Sequence, residues 1–301
     1  MRNKAFITLT FISILWGINY PISAFLLQSF SPVFLSTIRI SCTSIILILI
    51  AISQKGIRRP TVTEWKLLLG AGIFGTLINQ IFFFTGLQHT TSANASLIIA
   101  LAPITTIFLE RIVFKEKLTY KKIIGAMISL VGVFSIIGIT SRSLEISWGD
   151  LNILIAMFSL SISILFIRAL SKNMNSFFIT VFATVLGSLF MIPAAGVEAI
   201  ISETVISYSI LLWLLLISSA IITQGMAGFL WNKSVGEVGA GTASMFMNIP
   251  PFVAILAAYF ILGDPILARQ IVGGLLVLFG VYIANKPSGK HEIVLKPSKS
   301  V

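Results

Sequence analysis

Long apolar runs decide what this chain can become. A helix needs about 20 consecutive apolar residues to cross a bilayer, where no water is present to satisfy an exposed backbone. Ten such runs lie near residues 5–27, 33–53, 67–87, 93–112, 123–140, 150–167, 177–196, 209–231, 240–262 and 270–285. The sequence therefore predicts an all-α integral membrane protein of ten transmembrane helices. Composition agrees, with 56% hydrophobic and only 10% charged residues and a mean hydropathy of +1.01, well above a soluble domain of this length. The first run ends without a small-residue cleavage pattern and similar runs follow it, so a cleaved signal peptide is not expected. Cys42 is the single cysteine, which excludes an intramolecular disulfide and a cysteine-based metal cluster.

Sliding the chain against itself by 148 residues places Pro103 on Pro251, Glu116 on Asp264, Gly125 on Gly273 and Gly132 on Gly280 without a gap. Identity is modest, nine of the 41 positions from 93 to 133, so the ordered series of proline, acid and two glycines carries the comparison. It divides the chain into two five-helix repeats, 1–141 and 148–286, followed by a cytoplasmic tail, 287–301. Five crossings separate equivalent positions. Because five is odd, the second repeat must enter the membrane inverted.

Inversion predicts the distribution of charge, because short loops rich in Lys and Arg stay in the cytoplasm. An N-terminus inside assigns 18 of the 21 basic residues to the cytoplasmic side, leaving Arg142 and Arg269 outside and Arg39 within the second span. The stretch FKEKLTYKKIIG, residues 114–125, becomes a cytoplasmic hairpin, and its counterpart LGDPILARQIVG, residues 262–273, an external one. Lys115, Lys117, Lys121 and Lys122 are thereby replaced by Gly263, Pro265, Arg269 and Gln270, while the acid and the glycine persist. The net charge of +11 lies between apolar runs and forms no basic face, so the expected partner is the lipid bilayer and not nucleic acid. The expected location is the plasma membrane, with both termini in the cytoplasm.

ILWGINYPISAFLL in the first span, SPVFLSTIRIS entering the second, and the pair ASLIIALAPITTIFLERIVFKEKLTYKKIIGAMISLVGVF and ASMFMNIPPFVAILAAYFILGDPILARQIVGGLLVLFGVY resemble the two EamA repeats of the drug/metabolite transporter superfamily. The resemblance spans residues 5–285. It implies ten spans, cytoplasmic termini and a central cavity between the halves. Family members often carry a lysine at the end of the first-span motif; this chain has Ala24 there, and no contact by that lysine is carried over.

Polar side chains in hydrocarbon collect where they find partners, at bundle interiors and water-filled cavities. Trp16, Asn19, Tyr20 and Ser23 follow helical spacing on one face of the first span, with Pro21 near its external end. They form a cavity wall, or alternatively a packing face. Thr76, Asn79, Gln80 and Phe83 share a face of the third span; Gln224 aligns with Thr76 across the repeat, so these two are expected on opposite sides of a pseudo-symmetric cavity. Interhelical hydrogen bonding is the alternative. Asn248 and Asn94 are weaker candidates. Arg39, the one charge well inside a span, suits a carboxylate or phosphate unless it snorkels outward or pairs with carbonyls. Pro103 and Pro251 are expected to break their helices at matching positions of the inverted halves, a pointer to a midplane transport site. The glycines suit close helix packing better than substrate contact.

No phosphate loop, nucleophile elbow or metal-spaced histidine pair occurs, so no catalytic residue, cofactor or metal is expected. The sequence reads as a transporter, a monomer or homodimer, moving a small polar metabolite by alternating access through a central cavity. Export of an amino acid or related compound follows from the resemblance. A cationic drug antiporter is the alternative, although no carboxylate lies deeper in a span than Glu110; a non-transporting membrane sensor is a further one.

Overall fold

A computed structural model describes residues 2–53, 59–89, 98–99, 101–115, 118–137, 147–262, 268–285 and 294–295. Its first three rods are α1 (Arg2–Leu27), α2 (Pro32–Ser53) and α3 (Val62–His89), the last interrupted by a π-helical segment, Ile73–Ile78. Next come α4 (Ala102–Phe114), α5 (Tyr120–Ile137), α6 (Trp148–Leu170) and α7 (Ser176–Ile201). The eighth rod, α8 (Ile210–Val238), carries a second π segment, Ile221–Met226. The ninth, α9, joins Ala240–Ser244, a 3-10 turn Met245–Asn248 and Ile249–Leu262, and α10 is Ala268–Asn285. Among the described residues six rods, α1, α2, α3, α6, α7 and α8, are long and apolar enough to cross a membrane. The protein is an all-α membrane protein; its two described strands, Leu118–Thr119 and Val294–Leu295, pair antiparallel and tie the tail to the basic hairpin.

Local chemistry sets several boundaries. Thr61 accepts the Glu64 N–H while the Glu64 carboxylate accepts the Thr61 N–H, a capping box that starts α3 several residues before the apolar run. Ser147 and Asp150 start α6 in the same way. Gly239, at φ +90°, separates α8 from α9 in a conformation that favours glycine. Lys115 closes α4 at φ 53°, also left-handed, at the entrance to the basic hairpin.

The repeat read from sequence recurs in the backbone. Helix starts at Val62 and Ile210, at Tyr120 and Ala268, and the π segments at Ile73 and Ile221 are each 148 residues apart. The halves meet where α5 runs antiparallel to α10. A Cβ on Gly125 would stand 2.5 Å from the Gly280 carbonyl, and one on Gly132 would stand 2.6 Å from the Gly273 carbonyl. These contacts are crossed between repeat equivalents, as a two-fold axis requires. Ser129 lies at that axis and donates to the carbonyl of its own equivalent, Val277, at 3.2 Å.

Pro103 and Pro251 each follow an interruption of their rod, the turn at Leu101 in one half and the 3-10 turn Met245–Asn248 in the other. Each lies in the first turn of its helical segment, where the missing N–H is one the helix leaves unpaired. The Phe246 carbonyl, which Pro250 cannot engage from the next turn, accepts from the Ile249 N–H and from Ser13 Oγ at 3.0 Å. The two halves also share a second pair of irregularities, the π segments Ile73–Ile78 and Ile221–Met226.

Candidate functional site

At the π segment of α8 the Ala227 N–H bonds back to the Ile222 carbonyl, five residues away, so the Thr223 carbonyl loses its α-helical donor. Trp16 Nε1 donates to that carbonyl at 3.1 Å, and its ring lies 5.1 Å from the ring of Trp231. In α3 the matching segment presents the Phe74 carbonyl to Ser159 Oγ of α6 at 2.6 Å. The irregular backbone thus ties α8 to α1 and α3 to α6, and the α8 segment borders a central cavity through Thr223 and Gln224.

That cavity encloses about 300 Å³. Trp16, Asn19, Tyr20 and Ser23 line it from α1, Arg39 from α2, and Asn79, Gln80, Phe83, Phe84 and Leu87 from α3. Leu160 of α6, Thr223, Gln224 and Gly228 of α8, and Met247 and Pro250 of α9 complete its described wall together with Ile99. It reaches from Thr223 and Gln224 of α8 toward Leu87 and Ile99. On the opposite side lies a packed apolar cluster that includes Leu9, Ile12, Ile164, Trp231, Val235 and Phe246. Beyond it the buried Glu110 carboxylate accepts the N–H groups of Ala240 and Gly241, at 2.8 and 2.9 Å, at the start of α9. Negative charge there complements the helix N-terminus.

Arg39 is 1% exposed, yet borders the cavity. Its Nη1 donates to Ser23 Oγ at 2.8 Å, and its Nη2 donates to Asn19 Oδ1 and Thr223 Oγ1, both at 3.1 Å. Its Nε has no partner. Among the described residues no carboxylate pairs with it. Three neutral oxygens from α1 and α8 hold the guanidinium in place without cancelling its charge. A buried cation left in this state is a ready site for an anionic group.

A larger crevice of about 510 Å³ lies between α2, α7 and α8, but its wall is chiefly aliphatic and aromatic, with Thr43 and Asn175 as its polar side chains. Volume therefore does not locate the chemistry; the polar side chains of the central cavity do.

Of the residues singled out in sequence, Trp16, Asn19, Tyr20, Ser23, Arg39, Asn79, Gln80, Phe83 and Gln224 all border this one cavity. Thr76 does not. It packs against α7, where a Cβ on Gly187 would meet its Cγ2 at 2.5 Å, so the expected Thr76–Gln224 symmetry is broken. Asn248 does not line the cavity either: it is 1% exposed, and neither polar atom of its side chain has a partner. The 3-10 turn explains this, because at three residues per turn Met247 and Pro250 share the cavity face and Asn248 is turned off it. Asn94 lies outside the described residues. Thr223 was missed in sequence, although its place beside Gln224 was a usable signal; Leu160, Met247 and Gly228 carried none.

Two inverted helical halves around a cavity with a buried charge define a membrane transporter. The profile of the EamA-like transporter family matches residues 3–138 and 147–286, and the chain belongs to that family. It is 28% identical to the uncharacterized transporter YyaM of Bacillus subtilis (strain 168), over 93% of each chain. It is 26% identical to a probable terminal-alkyne amino-acid exporter of Streptantibioticus cattleyicolor, over 94% of each chain. A solved crystal structure, 17% identical, superposes with a TM-score of 0.78 over 94% of this chain and 97% of that one, which speaks for the fold alone.

Proposed function

We propose that this transporter exports a small polar metabolite bearing a carboxylate, an amino acid or a related compound, by alternating access through the central cavity. One observation carries the reading: the Arg39 guanidinium is buried at the cavity wall, held by neutral oxygens, and has no described carboxylate to neutralise it. The relative named as an amino-acid exporter supports the substrate class. With both termini in the cytoplasm, the cavity faces outward and the Glu110 contact with Ala240 and Gly241 closes the cytoplasmic side. A carboxylate at Arg39 would replace water that the buried cation otherwise attracts, and the aromatic walls would take the apolar part of the substrate.

The test is flux of radiolabelled amino acids and their derivatives in proteoliposomes containing wild type, Arg39→Lys or Arg39→Ala. If charge dominates, Arg39→Lys keeps most of the flux and Arg39→Ala loses it; if the planar fork dominates, both lose it. Normal flux by Arg39→Ala removes Arg39 from the site.

A further inference from the structure

At the Arg39 end of the cavity four side-chain oxygens already accept hydrogen bonds. Asn19 Oδ1 and Thr223 Oγ1 each accept from Arg39, and Ser23 Oγ accepts from both Arg39 Nη1 and, at 3.2 Å, Asn19 Nδ2. Gln80 Oε1 accepts from Ser36 Oγ at 2.8 Å. The Ser23 proton and the Gln80 amide nitrogen remain as donors there, beside the second lone pairs of the amide oxygens and the Tyr20, Asn79 and Gln224 side chains that also border the cavity.

Among the described residues no acidic side chain borders the cavity. Among the described residues Glu64 and Asp150 cap helices, Glu110 holds the start of α9, and Glu198 accepts the Val33 and Phe34 N–H groups; neither Glu203 nor Glu237 borders the cavity. Glu116, Glu145, Asp264 and Glu292 lie outside the described residues, in segments between or after the rods. The ammonium of an amino acid sits beside its carboxylate. Placing that carboxylate on Arg39 therefore brings two positive charges close together in a low-dielectric site.

We propose that the preferred cargo is a monoanion, a compact apolar carboxylate without a free ammonium group, such as a deaminated or N-acylated amino acid. The inference rests on the central cavity being the transport site. Arg39 is the specificity-determining charge: it binds the carboxylate and disfavours the adjacent ammonium. Phe83, Phe84, Leu87, Leu160 and Met247 enclose the apolar body.

Two matched series of probes test this by calorimetric titration of purified full-length protein at pH 7. One has a phenyl body (3-phenylpropanoate, phenylalanine, 2-phenylethylamine) and the other a branched aliphatic body (4-methylpentanoate, leucine, 3-methylbutylamine). The expected result is a Kd for the acid about tenfold or more below that of the amino acid in at least one series, with no binding of the amine. Arg39→Gln, with retained helical circular dichroism, should abolish that preference. Amino acids binding as tightly as the acids, or more tightly, would overturn the monoanion inference and leave the carboxylate reading standing. Amines binding best, or no carboxylate binding in either series, would overturn both.

Discussion

Replacing Gly132 by alanine tests the contact that joins the two halves. The new Cβ would stand 2.6 Å from the Gly273 carbonyl oxygen and 2.7 Å from the Val277 nitrogen, against the 3.4 Å at which ordinary contact begins. Both atoms are backbone, so no side chain can rotate away, and α5 and α10 must separate locally by about 0.8 Å. Overpacking of this kind costs about 1–3 kcal/mol. Alanine also raises helix propensity by about 1 kcal/mol relative to glycine, which partly masks the loss. Gly196→Ala supplies the reference, because nothing lies within 4 Å of a Cβ built there and the propensity gain is the same in kind. The difference between the two variants isolates the packing cost, read by SDS titration of the purified protein in mixed micelles with circular dichroism. Gly125→Ala, facing the Gly280 carbonyl, should behave like Gly132→Ala. The double variant should lose less than the sum, since the helices separate only once. Equal stability of Gly132→Ala and Gly196→Ala would refute the close-packed two-fold interface.

Glu110→Gln should cost about 1.5–3 kcal/mol in the same titration, because one of the two oxygens that accept the Ala240 and Gly241 N–H groups becomes a donor; unchanged stability would count against the clamp. In a Cys42→Ser background, Asn79→Cys and Gln224→Cys should react with polar thiol reagents while Thr76→Cys, packed beneath Gly187, stays unreactive. Equal labelling of all three would contradict the split of that helix face. Flux in proteoliposomes should follow the substrate gradient or exchange with little obligatory proton movement, since Arg39, a fixed cation, is the cavity's one charged side chain among the described residues. Accumulation driven by an imposed pH gradient would refute that expectation.

Some of this molecule was legible in the chain because it depends on local or periodic rules. Hydrocarbon length and backbone satisfaction dictate long apolar helices wherever they occur. The 148-residue repeat shows in the order of proline, acid and glycines, and helical spacing alone put Trp16, Asn19, Tyr20 and Ser23 on one face. Arg39 stood out because a charge in a span needs a reason. Other features depend on contacts between distant helices. The π segments carry no sequence mark, since IFGTLI and IITQGM share little beyond their apolar character; tertiary partners such as Trp16 and Ser159 take up the carbonyls left outside the α ladder. Within these equivalent segments Thr76 nonetheless packs on Gly187 while Gln224 borders the cavity, a difference set by the neighbouring helices. Likewise the 3-10 turn moved Asn248 off a face that uniform α-helical spacing would have given it. Periodicity identifies which residues share a face only while the pitch is constant. Where neighbouring helices change the pitch, only the tertiary structure decides which side chains meet.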